Sequence, residues 1–497
     1  MKIIRSVFIA FLSVLCLNIA AQTNAPNIIY ILADDLGYGD VSAFNPQSKI
    51  KTAHIDALSE TGMSFTDAHT NSAVCTPTRY GVLTGRYAWR THLQSGVLWS
   101  YDSLLIAANQ TTVASLLKNK GYATACIGKW HLGLGWQKDD GGLVDFSKTI
   151  TSGPNTVGFD YFYGITASLD IPPYFYIENN KITAKKIDTI EGTSGKGFWR
   201  KGPIGDDFRH EEVLPHLIDK AAGYISAKAK NKQPFFLYLP LPSPHTPILP
   251  AEKYRGKTNT NEYGDFVLMT DDMVGKIVAA VANAGIAANT MIVFTSDNGV
   301  APMANLKELE AAGHQSSFIF RGTKADIFEG GHRVPFIVKW PGKVKEGSKS
   351  DATICLTDFL ATAADMVKQP LQAGEGVDSY SLLPLLTGKN KFQRTQTVHH
   401  SIDGNFAIRE GKWKLAFAYG SGGWSAPVEK AAKKENLPSL QLFDLEKDIS
   451  EQHNIASDHK EIVAALTKKL ETIIHNGRST PGAKQSNDVP VNYLKYK

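Results

Sequence analysis

Five short apolar runs separated by amphipathic stretches constrain this chain most. They are Asn27–Ala33 (NIIYILA), Ala123–Gly128 (ATACIG), Phe235–Leu239 (FFLYL), Met291–Ser296 (MIVFTS) and Phe336–Trp340 (FIVKW). Each is largely apolar rather than alternating, and each is short. That is the pattern of a strand covered on both faces. Thr112–Lys120 and Tyr263–Ala284 lie between them with apolar residues at helical spacing. The alternation predicts an α/β fold with a large, mostly parallel sheet flanked by helices.

After about Leu386 the pattern changes. Phe406–Ala418 (FAIREGKWKLAFA) reads as a hairpin turning at Glu410–Gly411, and Gln441–Asp444 as one more strand. His459–His475 has helical periodicity. The expectation is a smaller C-terminal antiparallel sheet with a helix, Tyr419–Ser425 being a Gly- and Ser-rich loop. Arg478–Lys497 shows no period. Residues 22–384 thus form one part and 385–497 a second.

Composition narrows the function class. With 43% hydrophobic and 20% charged residues, the chain is neither disordered nor polytopic. A net charge of +5 without a polybasic block gives no nucleic-acid footprint. Residues 1–21 read as a secretory signal. Lys2 and Arg5 start it, Val7–Ala20 is apolar, and Ala20–Ala21 offers small residues for cleavage. That run is shorter than the ~20 residues of a spanning helix, and no later segment is long and apolar enough. The expected location is the periplasm or the exterior. Cys16 would leave with the signal, so three of the four cysteines remain: Cys75, Cys126 and Cys355. An odd number in an exported chain leaves a thiol unpaired or chemically altered.

Polar groups follow the strand ends. Asp34 and Asp35 follow the first, and Lys129, Trp130 and His131 the second. A Pro-rich turn leads from the third to His245, and Asp297 and Asn298 follow the fourth. Ligands of parallel sheets bind beyond these ends. Singly, an Asp there is more often a cap and a His a satisfied bystander; together they describe one site. Asp34, Asp35, Asp297 and Asn298 are hard oxygen donors suited to calcium or magnesium. Three carboxylates together would repel one another without a cation. Cys75 precedes Thr76 and Pro77, a cap and a first-turn residue, which puts it at a helix N-terminus. A buried structural cysteine is the plain alternative.

The stretch Cys75–Arg79 (CTPTR), followed by Leu83-Thr84-Gly85, resembles the first signature of the formylglycine-dependent sulfatases. These are a branch of the alkaline phosphatase superfamily. Gly121–His131 (GYATACIGKWH) is similar to their second signature. Ser243–Pro247 and Phe294–Gly299 extend the likeness. The resemblance implies an alkaline-phosphatase-like sheet. It also implies oxidation of Cys75 to formylglycine (3-oxoalanine) by a maturation enzyme that reads C-x-P-x-R. Arg79 would hold the modified side chain. Asp34, Asp35, Asp297, Asn298 and residue 75 would ligate one calcium ion. Lys129, His131, His245 and Lys324 would surround the sulfate, with His245 as general acid and His131 as base. An aldehyde hydrate suits this reaction: one hydroxyl attacks sulfur, and the other expels sulfate and restores the aldehyde.

Gly158–Glu178 is aromatic-rich and carries two prolines. It reads as a packed loop or as a carbohydrate platform, and it resembles that of bacterial carbohydrate sulfatases related to N-acetylgalactosamine-6-sulfatases. Asp170 is a candidate contact to a sugar hydroxyl. His314 is a second, against a surface histidine. The expected substrate is a sulfated glycan or its oligosaccharides, from a glycosaminoglycan or an algal polysaccharide. A phosphate or phosphonate monoester hydrolase and a non-catalytic glycan-binding relative are the alternatives.

Overall fold

The structure, a computed structural model, describes residues 25–389 and 392–495. The expected signal, residues 1–21, lies outside them. The large sheet has ten strands. In chain order they are β1 (Asn27–Asp34), β2 (Met63–Phe65), β3 (Ala123–Lys129), β4 (Tyr161–Ile165), β5 (Ile177–Glu178), β6 (Lys181–Ile182), β7 (Phe235–Pro244), β8 (Thr290–Ser296), β9 (Phe336–Lys339) and β10 (Ser348–Ser350). Across the sheet the order is β10-β2-β9-β8-β1-β7-β3-β4-β5-β6. The central strands β8, β1, β7, β3 and β4 run parallel. β9 runs antiparallel between β8 and β2. The sheet is therefore mixed and mostly parallel at its centre, as the apolar runs predict.

Side-chain alternation explains why β1 is apolar throughout. Ile29, Ile31 and Ala33 share a core with the helices Val213–Lys230 and Glu262–Asn283. Ile28, Tyr30 and Leu32 share the opposite core with Cys75–Thr84, Val113–Lys118 and Phe359–Met366. Each fully buried large apolar side chain contributes roughly 1.5–3 kcal/mol.

The expected Pro-rich turn after Leu239 is instead a continuation of β7 to Pro244. Pro240, Pro242 and Pro244 each lack an N–H, and the register against β1 slips between Pro240 and Pro244. Pairing of β7 with β3 stops at Tyr238, while pairing with β1 reaches Pro244. Gly128 lets the two strands pass: a Cβ there would lie 2.0 Å from the Pro240 carbonyl oxygen.

The second sheet is antiparallel. Its strands are β11 (Gln396–His400), β12 (Phe406–Glu410), β13 (Trp413–Ala416) and β14 (Gln441–Asp444), in that order. The hairpin turns at Gly411–Lys412, one residue beyond expectation, because Glu410 pairs with Trp413. One face packs on Leu466, Leu470 and Ile473 of the helix Lys460–His475. The other covers Ile327 and Phe328.

A buried charged layer joins the second sheet to the first. Lys414 lies 3.1 Å from Glu329 and 2.8 Å from Glu451, with all three side chains fully buried. Arg409 and Arg333 bind Asp67 at 2.6 and 3.2 Å. Lys414→Met would leave Glu451 buried without its cation. We expect a loss of about 3–5 kcal/mol, read as a melting temperature several degrees lower by calorimetry. An unchanged melting temperature would contradict the role given to this layer.

Candidate active site

Four strand ends and one helix start meet at a single buried point. β1 ends in Asp34, just before Asp35, β3 in Lys129, β7 just before His245, and β8 just before Asp297. The helix Cys75–Thr84 begins at Cys75, with Val74 rather than Thr76 in the capping position. Thr76 instead accepts the Leu98 amide at 3.2 Å. Ligand atoms of Asp34, Asp35, Cys75 and His245 all lie within 4.8 Å of one another. Asp34, Asp297 and Asn298 are fully buried, and Asp35 and Cys75 nearly so.

Asp35 has φ +64°, a left-handed conformation that Asp tolerates better than most residues. The Asn298 amide fixes its carboxylate at 2.7 Å. Lys324 Nζ fixes it at 2.7 and 2.9 Å. The Tyr263 hydroxyl oxygen lies 3.0 Å from the Asp35 carbonyl. Asp297 accepts the Asp35 amide at 3.2 Å.

The acids are matched by protein cations. Lys129 Nζ lies 2.6 Å from Asp34. Arg79 binds Asp297 at 2.7 Å, approaches Asp34 at 3.4 Å and donates to the Lys129 carbonyl at 3.1 Å. Arg79 thus holds the carboxylates around residue 75, and Cys75 Sγ itself contacts Asp34 at 3.7 Å. Burial opposes ionisation of Asp34, but Lys129, His245 and Arg79 outweigh it and hold the carboxyl well below its usual range. Burial, with Asp34 alongside, pushes Asp297 up to about 6. Burial also pushes the Cys75 thiol up to about 12, so an unmodified thiol here stays protonated and is a poor nucleophile at neutral pH.

With Arg79, Lys129 and Lys324 present, carboxylate repulsion alone does not require a metal, which corrects the electrostatic expectation. The donor set still fits one. Asn298 Oδ1 is buried without a hydrogen-bond partner, beside three carboxylates. Hard oxygen donors of this kind suit calcium or magnesium better than zinc.

The two histidines differ. His131 also has positive φ, +55°. Its Nε2 donates to the Leu98 carbonyl at 2.9 Å, so in the neutral ring Nδ1 is a lone pair, buried and unpartnered. Burial, with Lys129 and Arg79 nearby, holds its pKa well below the ordinary value. The shift keeps the ring neutral and the Nδ1 lone pair free, at the cost of basicity. His245 Nδ1 donates to the Thr246 carbonyl at 2.5 Å. Its Nε2 lies 3.6 Å from Asp35, inside the site.

Asp170 is at the site, 4.0 Å from His245 Nδ1. His314 is neither a surface residue nor placed to touch a sugar. It is fully buried, with Nε2 2.8 Å from Asp40 and Nδ1 accepting the Lys49 amide at 3.3 Å. Both ring nitrogens are occupied, so it braces Asp40. Asp40 in turn accepts from Tyr263 at 2.5 Å, behind Asp35. Sequence reasoning missed Asp40, Tyr263 and Leu98. No local pattern marks them, since their partners are distant in the chain.

Comparison with known proteins fits this geometry. The family profile described as Sulfatase matches residues 26–368. A profile for the C-terminal part of N-sulphoglucosamine sulphohydrolase matches residues 323–476. The chain is 34% identical over 493 aligned residues to an N-acetylgalactosamine-6-O-sulfatase of Bacteroides thetaiotaomicron, covering 91% of this chain and 94% of that one. It is 30% identical over 475 residues to human arylsulfatase A, covering 91% and 88%. A solved structure from work on glycosaminoglycan metabolism by Bacteroides thetaiotaomicron superposes with TM-score 0.80 at 33% identity, covering 91% and 99%. A crystal structure of Ps i-CgsB with k-i-k-neocarrahexaose shares the fold at TM-score 0.70 and 24% identity, covering 93% and 95%. None of these relatives favours a phosphatase or a non-catalytic binder. A family match over residues 26–368, together with this identity along most of both chains, makes the conclusion direct: the chain belongs to the sulfatase family and is a sulfuric ester hydrolase.

Proposed function

We propose that the chain removes sulfate from a sulfated glycan or its oligosaccharides, using formylglycine formed from Cys75 and one calcium ion. The observation that carries this reading is the convergence of Asp34, Asp35, Cys75 and His245 ligand atoms within 4.8 Å, flanked by Lys129 and Lys324. The kinship to an N-acetylgalactosamine-6-O-sulfatase supports a 6-sulfated galactose or N-acetylgalactosamine as the sugar. An exported, periplasmic or secreted enzyme is consistent with residues 1–21, and a maturation enzyme would have to reach Cys75, Pro77 and Arg79 in the unfolded chain. Residues 22–384 would form the catalytic part and 385–497 the smaller one. No helix among the described residues is long and apolar enough to cross a membrane.

Asp34, Asp35, Asp297, Asn298 and residue 75 would hold the calcium. Calcium and the aldehyde, once in place, supply a hydroxyl acidic enough to attack sulfur and a second able to expel sulfate. The remaining work falls to the chain's own residues. Lys129 and Lys324 turn from Asp34 and Asp35 to the sulfate oxygens and neutralise charge as it shifts in the transition state. His245 Nε2 gives a proton to the departing alcohol oxygen. His131 Nδ1 takes the proton released when sulfate is expelled. Arg79 keeps Asp297 and the Lys129 backbone fixed while this happens.

Two outcomes check the reading. Mass spectrometry of the peptide containing residue 75 should show an aldehyde in active enzyme; an intact thiol at full activity would overturn the mechanism. His245→Ala should lower kcat/KM on sugar sulfates by about 10²–10⁴. It should lower turnover of 4-nitrophenyl sulfate far less, because that leaving group needs no proton. Equal losses on both would remove His245 from the acid role.

A further inference from the structure

Behind the Asp35 carboxylate lies a buried acid that takes no part in the proposed chemistry. Asp40 closes the turn that follows β1, and its side chain is fully buried. Its Oδ2 accepts the Gly37 amide at 2.8 Å and the Tyr263 hydroxyl at 2.5 Å. Its Oδ1 accepts His314 Nε2 at 2.8 Å. His314 Nδ1 accepts the Lys49 amide, so the ring is neutral and carries its proton on Nε2. No lysine or arginine among the described residues pairs with Asp40. Asp34, Asp35 and Asp297 each face such a cation. The charge of Asp40 is therefore held by neutral donors alone.

The turn needs this support. Asp35 has φ +64°, a conformation that persists in a residue with a side chain only where the surroundings fix it. Here they do so from several elements. The Leu36 amide donates to Ser296 Oγ at 3.1 Å. The Gly39 amide donates to the Ser316 carbonyl at 2.7 Å, and a Cβ on Gly37 would lie 2.3 Å from that same oxygen. The turn thus lies flush against the loop that carries His314. Tyr263, in the first turn of the helix Glu262–Asn283, closes the other side. Its hydroxyl has one proton, which the shorter contact directs to Asp40, and its oxygen lies 3.0 Å from the Asp35 carbonyl. Displacing Tyr263 or His314 displaces Asp40, and with it Gly37, two residues beyond a proposed calcium ligand. Outer partners of this kind orient ligating carboxylates, and metal affinity falls when they are lost.

We propose that Asp40, clasped by Tyr263 and His314, sets the affinity of the calcium site. The three are positioning residues that hold the Asp35 turn, and Asp40 adds a negative charge that no neighbouring side chain cancels. The inference rests on the calcium reading and gives a role to residues outside the proposed ligand set.

The test is equilibrium competition for calcium between the mature holoenzyme and a fluorescent calcium chelator, read without substrate. Tyr263→Phe and His314→Leu should each weaken calcium binding about tenfold or more. His314→Gln keeps an N–H donor toward Asp40 and should stay within about threefold of wild type. Tyr254→Phe is the control for a general loss of stability. It removes a hydroxyl that donates to Asp272 of the same helix at 2.7 Å, and its calcium affinity should match wild type. Tyr263→Phe and His314→Leu are independent, so one decides if the other fails to fold. Wild-type affinity in either folded variant would overturn the inference and leave the calcium reading intact. So would an equal loss in Tyr254→Phe, or a loss in His314→Gln as large as in His314→Leu. Active wild-type protein that yields no calcium to the chelator and holds none by elemental analysis would overturn both.

Discussion

Three carboxylates buried within reach of one another are the constraint to which the rest of this structure answers. Asp34, Asp35 and Asp297 are each almost completely removed from water, and isolated carboxylates in such a place would be protonated. Lys129, Lys324 and Arg79 keep the cluster electrically balanced. Parallel strands make the arrangement possible: β1, β3, β7 and β8 all end on the same edge of the sheet, so each delivers its terminal side chain to one point. The same balance suits turnover. Two of the cations are lysines on flexible stems, which in the proposed reaction would exchange a carboxylate for the monoanionic sulfate ester, whereas Arg79 is clamped by two carboxylates and a carbonyl.

The second sheet is part of the same construction. The Ala73 amide donates to the His400 carbonyl of β11, and the Ala325 amide donates to the Ala73 carbonyl. The Ile327 amide donates to the Ser421 carbonyl, and Asp326 accepts the amides of Trp424 and Ser425. The segment leading into Cys75 and the loop carrying Lys324 are therefore tied to each other and to the C-terminal strands. Rigid support of this kind holds reacting groups without reorganisation during the reaction.

Much of this was legible in the sequence, for physical reasons. Strands buried on both faces must be continuously apolar, so β1, β3, β7 and β8 could be read directly, and the residues just past them were natural site candidates. Prolines such as those after Leu239 normally mark a turn; here they continue the strand beyond Tyr238, where its pairing with β3 has already ended. The electrostatic case for a metal was overstated, since nothing local indicates that Arg79, Lys129 and Lys324 fold onto these particular acids. His314 was misplaced because its partner Asp40 is 274 residues away. Tyr263, 223 residues from Asp40, left no trace for the same reason.

The central claim is that the strand-end acids form a divalent cation site beside residue 75. Anomalous diffraction from crystals of the mature protein grown with calcium tests it most directly. The account predicts one strong peak among Asp34, Asp35, Asp297 and Asn298, abolished by Asp297→Ala. Density at residue 75 showing an aldehyde or its hydrate should lie against that peak, with Lys129 and Lys324 turned toward the open side. A site that stays without a peak at saturating calcium in active enzyme, with both lysines still on their carboxylates, would contradict the account.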